Sequence, residues 1–115
     1  MHTWNDIESM ICSCGRCALG QTRKNAVPGK GSHAAQIMLV AEAPGKQEDL
    51  QGIPFVGPAG KVLDILLTSA GLSRKDVFIT NIVNAILQAI VILCPKSRTP
   101  VCNICVQKLL CCIRR

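Results

Sequence analysis

The stretch that most constrains this chain is Gln36–Gly60, QIMLVAEAPGKQEDLQGIPFVGPAG. It runs from an apolar segment, Ile37–Val40, into a glycine- and proline-rich loop. That loop holds three acids, Glu42, Glu48 and Asp49, and one phenylalanine, Phe55. A continuous apolar run fits a strand covered on both faces of a parallel sheet. Ala43–Ala59 then reads as one long loop, and long loops inside compact domains are usually functional or disordered. Lys61–Ala70 predicts a helix, with Val62, Leu63, Leu66, Leu67 and Ala70 on one face and Gly71 as its stop. Val77–Thr80 predicts a second strand ending at Asn81. Strand, helix, strand is a βαβ unit, so the fold class is α/β. Ligands in open α/β sheets bind beyond the carboxyl ends of the strands, which brings Glu42 and Asn81 to one rim.

The 115 residues suffice for one domain with a modest core. That core is aliphatic, because 49% of residues are hydrophobic and only 3% aromatic. The net charge of +6 is unevenly placed: residues 84–115 hold five Lys/Arg and no acid. A basic chain points to nucleic acid or an anionic surface, but here the excess lies away from the motifs. Eight cysteines fall in two groups, Cys12–Cys17 and Cys94–Cys112. The polar start, MHTWNDIES, has no signal-peptide pattern, so metal ligation is expected before disulfides and the cytoplasm is the expected location. The longest apolar run, Ala85–Cys94, is too short to span a membrane. Near the start, Trp4–Ile11 predicts a short helix with Thr3 as N-cap and Asp6 in its first turn. Asn25–His33 reads as irregular.

Each motif has two readings. Cys14-x2-Cys17 fits two corners of a metal site, or two buried free cysteines. Cys102-x2-Cys105 offers a second pair, and the four together would make a non-catalytic metal-binding module. The gap between the pairs far exceeds that of compact zinc modules. A phosphate loop at Gly57–Lys61 is ruled out, because Val62 stands where Ser or Thr is needed. The acids Glu42, Glu48 and Asp49 are either a solvated acidic loop or helix N-terminal charges, or carboxylates aimed at a water or a developing positive charge. Phe55 is either a loop plug or a stacking face for a flat ligand. Asn81 either caps a turn or pairs its amide with the imide edge of a base.

On these residues the sequence resembles the type 4 uracil-DNA glycosylases, the iron–sulfur members of the uracil-DNA glycosylase superfamily. The resemblance covers about Cys14 to Val83. Its motifs are CGRCAL, Arg23 with Val27-Pro28-Gly29-Lys30-Gly31, IMLVAEAPGKQEDLQGIPFVGPAG and VFITNIV. The resemblance implies a three-layer α/β/α sandwich on a short parallel sheet, and a monomer that excises uracil from DNA in base excision repair. The uridine would be flipped from the stack into the pocket. Phe55 would stack on uracil, Asn81 would read its edge, and backbone near Glu42 and Ala43 would contact its carbonyls. Glu42 and Glu48 would be the catalytic candidates, orienting water or stabilising the oxocarbenium-like sugar. Cys14 and Cys17 would give two of four ligands to a structural 4Fe–4S cluster, with Cys94 and Cys102 as weaker candidates for the others.

The sequence departs from the family in three places. Ala41 replaces a glycine, and a methyl there would crowd the pocket or forbid a glycine-only backbone angle. Asn84 and Ala85 stand where the family has Lys-Cys, whose cysteine is the third cluster ligand. The family's later His-Pro segment, with a uracil-contacting histidine, lies beyond residue 115. Codons permitted for Asn84–Pro95, NAILQAIVILCP, give K-C-H-P-P-G-N-R-D-P-L-P when each last base is read with the next two. That is the family's segment, in place, and the Pro100/Val101 junction permits a further cysteine. Residues 1–83 are therefore expected to be the N-terminal part of a glycosylase-like domain, and 84–115 a frameshifted tail. Such a truncated domain would be marginally stable and inactive or impaired.

Overall fold

The computed structural model describes residues 2–85. Along that span lie α1 (Trp4–Cys12), α2 (Ala18–Thr22), β1 (Lys30–Gly31), β2 (Ile37–Ala41), α3 (Lys46–Gln51), α4 (Pro58–Ser69) and β3 (Val77–Asn81). The three strands form one sheet in the order β1-β3-β2. β2 and β3 run parallel, in register from Ile37 opposite Val77 to Ala41 opposite Asn81. The βαβ unit expected from the hydrophobic pattern is present. β1 pairs antiparallel with β3 through Lys30–Ile79 and Gly31–Phe78, a strand where an irregular segment was expected. Two glycines permit it. Gly29 and Gly31 have φ near +130°, and a methyl on Gly31 would overlap the Val77 carbonyl oxygen.

β3 is the covered strand, buried at all five positions. β2 departs from expectation. Its continuous apolar run predicted cover on both faces, yet Ile37 is 42% exposed and Val40 44%. Among the described residues β2 pairs only with β3, so its other edge carries no neighbour.

Alternation along β3 sends successive side chains to opposite faces. Val77 and Ile79 pack with Leu67 of α4, and Leu39, Phe55, Leu63 and Leu72 complete that cluster. Phe78 meets Trp4 of α1, with ring centroids 4.9 Å apart, and Trp4 stacks on His33 at 4.8 Å. Helix α1 buries Trp4, Ile7 and Ile11, one stripe at helical spacing. Its N-terminus is a capping box. Asp6 N–H donates to Thr3 Oγ1, and Thr3 N–H donates to Asp6 Oδ2 at 2.8 Å.

Helix α4 begins three residues earlier than Lys61, because Pro58 occupies its first turn, where a missing N–H breaks no helical bond. It ends as expected at Gly71, in the left-handed region at φ 73°. Leu72 N–H donates to Leu67 O and Gly71 N–H to Thr68 O, satisfying the terminal carbonyls. Of the face expected inside, Leu63 and Leu67 pack on the sheet, whereas Val62 is 57% exposed and Leu66 61%. The i, i+4 pair thus carries the contact, and the wider apolar stripe faces outward in the described residues.

Candidate active site

Four segments converge beyond the carboxyl ends of β2 and β3: the loop after β2, helix α3, the turn Ile53–Gly57 and Asn81. They enclose a pocket of about 440 Å³, lined among others by Ala43, Gly45, Lys46, Glu48, Phe55 and Asn81. That volume lies within the usual range for small-molecule sites.

Asn81 ends β3 and is buried. It lies on the Val77–Ile79 face by alternation, and among the described residues nothing hydrogen-bonds its side-chain amide. An amide so placed is free to donate one hydrogen bond and accept another from a ligand. Phe55 faces the same pocket and also touches the Leu67–Val77–Ile79 cluster, so it is both a plug and a wall. Ala43 lines the pocket beside them. Pairing continues past the strands, with Ile82 N–H donating to Ala41 O and Val83 N–H to Glu42 O. Ala41 is an ordinary strand residue in register with Asn81, and its φ is not positive. The glycine-only angle considered for it is not required.

The three acids have different surroundings. Glu42 is exposed and its side chain lies outside the pocket lining. Glu48 is buried, and its Oε1 accepts from Val56 N–H at 3.0 Å and Gly57 N–H at 2.9 Å. Asp49 is also buried and faces away, accepting from Lys24 N–H and Asn25 N–H. The Asn25 amide donates back to the carbonyls of Asp49 and Leu50. Asp49 therefore ties α3 to the segment before β1.

Cys14 and Cys17 line a second, much smaller hollow with Ile11, Leu19, Val83 and Ala85. One guanidinium nitrogen of Arg23 donates to the carbonyls of Ile11, Cys12 and Cys14, fixing the start of the cysteine loop. Gly20 lies so close to Cys14 O that a side chain there would collide with it. The thiols are thus held on a constrained backbone. No group of three His, Cys, Asp or Glu able to hold a metal occurs among the described residues. Cys94, Cys102 and Cys105 lie outside them. Two thiolates are half of a four-thiolate donor set, so the described residues do not fit a complete 4Fe–4S site. No described helix is long and apolar enough to cross a membrane.

The family model of the uracil DNA glycosylase superfamily matches residues 28–112, well over half of the chain. The chain belongs to the uracil-DNA glycosylase superfamily. Several curated relatives are named type-4 uracil-DNA glycosylases. That of Archaeoglobus fulgidus is 52% identical over 82 residues, covering 71% of this chain and 41% of its own. That of Saccharolobus solfataricus is 54% identical over 78 residues, covering 67% of this chain and 36% of its own. That of Pyrobaculum aerophilum is 45% identical over 94 residues, 82% of this chain and 44% of its own. This glycosylase-superfamily chain thus spans roughly two fifths of the length of the curated relatives it matches.

Two features of the superfamily pocket escaped the sequence reading. Helix α3 lies inside the expected loop, and its signal was present: Lys46–Gln51 is, apart from Asp49, a run of good helix formers flanked by Gly45 and Gly52. Gly52 ends it in the left-handed region at φ 72°. Arg74 carried no signal at all. Its guanidinium reaches back to the pocket turn, donating to Phe55 O at 2.6 Å and Gly60 O at 3.2 Å.

Proposed function

We propose that this chain forms the base pocket of a uracil-DNA glycosylase. The reaction is hydrolysis of the bond between C1′ of deoxyribose and N1 of uracil. The observation that carries the reading is Asn81, a buried residue whose amide bonds none of the described residues and which lines the 440 Å³ pocket it shares with Phe55. An extrahelical uracil entering this pocket stacks on the Phe55 ring and offers its imide N–H and a carbonyl oxygen to Asn81. Backbone near Glu42 and Ala43 meets the remaining carbonyl, a contact that Ala43 in the pocket lining supports. As the C1′–N1 bond breaks, its electron pair leaves on uracil and positive charge develops on the sugar. A water then adds at C1′, and the proton it gives up ends on the departed uracil anion. Glu42, exposed at the end of β2, is the carboxylate with room to meet that water or that charge. Helices on opposite faces of the sheet support the three-layer sandwich as the full architecture. Cys14 and Cys17 supply half of a cluster's thiolates, and no step is routed through a cluster. The division at Val83 rests on the codon argument, since the family model runs on to residue 112. An adjacent-frame reading of the gene without the Lys-Cys-His-Pro-Pro-Gly-Asn-Arg peptide would end it.

Two measurements test the function. Titration of free uracil into the labelled chain should shift the NMR signals of Phe55, Asn81 and Ala43. Phe55→Ala should weaken that binding about 5- to 150-fold, matching a base stack of ~1–3 kcal/mol. Spectra unmoved by uracil would overturn the pocket assignment. Uracil release from single- and double-stranded DNA should stay near background for this polypeptide, and Phe55-dependent release would overturn that expectation.

A further inference from the structure

Phe55 is the one non-glycine described residue with a positive φ, +55°. A bulky L-residue is strained there, and such strain persists only where its surroundings over-determine it. Two side chains do so here. Glu48 Oε1 accepts both backbone N–H groups that follow Phe55. The Arg74 guanidinium holds the carbonyls of Pro54, Phe55 and Gly60, and its Nε pairs with Asp64. Gly60 closes the cage, because a methyl on it would overlap the Phe55 carbonyl oxygen. The peptide before Phe55 is therefore held by Arg74 at its carbonyl, and the peptide after it by Arg74 at its carbonyl and by Glu48 at its N–H.

We infer that Glu48 and Arg74 are positioning residues that clamp the Phe55 backbone in its left-handed conformation and so set the ring as the stacking wall of the pocket. The inference deepens the uracil reading and rests on it for the ligand, though the clamp itself is observable without one. Glu48 acts through two N–H groups, so its acceptor oxygen matters more than its charge. Arg74 acts through several carbonyls, and no lysine can span them with a fixed planar fork.

The test is NMR on the whole chain, without and then with uracil. In the unsubstituted protein, the Phe55 three-bond amide coupling and backbone shifts should report positive φ. The Val56 and Gly57 amides should exchange slowly. Glu48→Ala should speed their exchange about tenfold or more, as befits loss of a hydrogen bond to a charged acceptor. Glu48→Gln, which keeps an acceptor oxygen, should retain most of the protection and of the uracil affinity. Arg74→Lys should move the Phe55 coupling toward ordinary values while the Trp4 indole signal stays in place. A negative φ at Phe55 in the unsubstituted chain overturns the clamp, with no variant needed. Equal damage from Glu48→Gln and Glu48→Ala also overturns it, since charge would then be what matters. A clamped Phe55 in a chain that ignores uracil leaves the clamp standing and removes the glycosylase reading.

Discussion

Gly60 shows how little room the pocket turn leaves. It sits in the first turn of α4, with Phe55 O where a Cβ would stand and an Arg74 nitrogen close by. Gly60→Ala must therefore push the turn away or displace the helix start. The expected loss is about 1–3 kcal/mol, the usual range for overpacking, read as a lowered Tm together with shifted Phe55 and Val56 amide signals. A Tm equal to that of the parent would show that the turn is looser than its geometry. This part of the site was half legible. Phe55 and Asn81 stand out in the sequence because a phenylalanine among glycines and prolines, and an amide just past a strand, have few uses. Arg74 did not, because it lies 19 positions from the carbonyl it holds and nothing local marks it. Glu48 was legible as an acid but not as an acceptor for backbone N–H groups, which depends on how the chain turns back.

At the scale of elements, both ends of the α4 connection rest on local chemistry. Gly71 closes the helix in the left-handed region with open space around it, so Gly71→Ala adds backbone strain alone. The expected cost is about 1 kcal/mol, or a Tm lower by roughly 4–8 °C for a domain of this size. An unchanged Tm would show that the helix end relaxes freely. Two further turns share one device. Asp6 is held below the ordinary aspartate range by the Thr3 backbone N–H first and its hydroxyl second, and Asp76 in the same way by Ser73. Lowered native values mean that each carboxylate contributes stability above about pH 4, lost as the pH falls further through those values. An Asp6→Asn, Asp76→Asn chain should thus lose Tm less steeply below about pH 4 than the parent. Parallel Tm curves would remove these turns as the source. The elements with strong periods or caps, α1, α4, β2 and β3, were readable in advance. β1 was not, because two residues carry no period and their pairing depends on glycines approaching β3.

Across the described part of the molecule, large apolar residues face outward from both the sheet and α4. Ile37 and Val40, on opposite faces of β2, are exposed, as are Val62, Ile65 and Leu66 on the outer side of α4. A continuous apolar run predicts cover but cannot say which part of a chain provides it. The thiol hollow has a similar gap. Ala85 lines it together with Cys14 and Cys17, at the position where the resemblance implies a cluster cysteine. Ala85→Cys should therefore add a third thiolate to the pair. After anaerobic reconstitution with iron and sulfide, the variant should retain more iron and stronger charge-transfer absorption than the parent. Equal iron in both would show that position 85 takes no part in metal binding.

The alternation along β3 gives the two sides of the sheet separate witnesses. Trp4, the chain's single tryptophan, is buried against Phe78 and His33 on one side, while Phe55 and Asn81 lie on the other. Intrinsic fluorescence therefore follows the docking of α1 and stays silent when the pocket fills. A ligand that changes the emission would be acting across the sheet, and one that does not can still be bound.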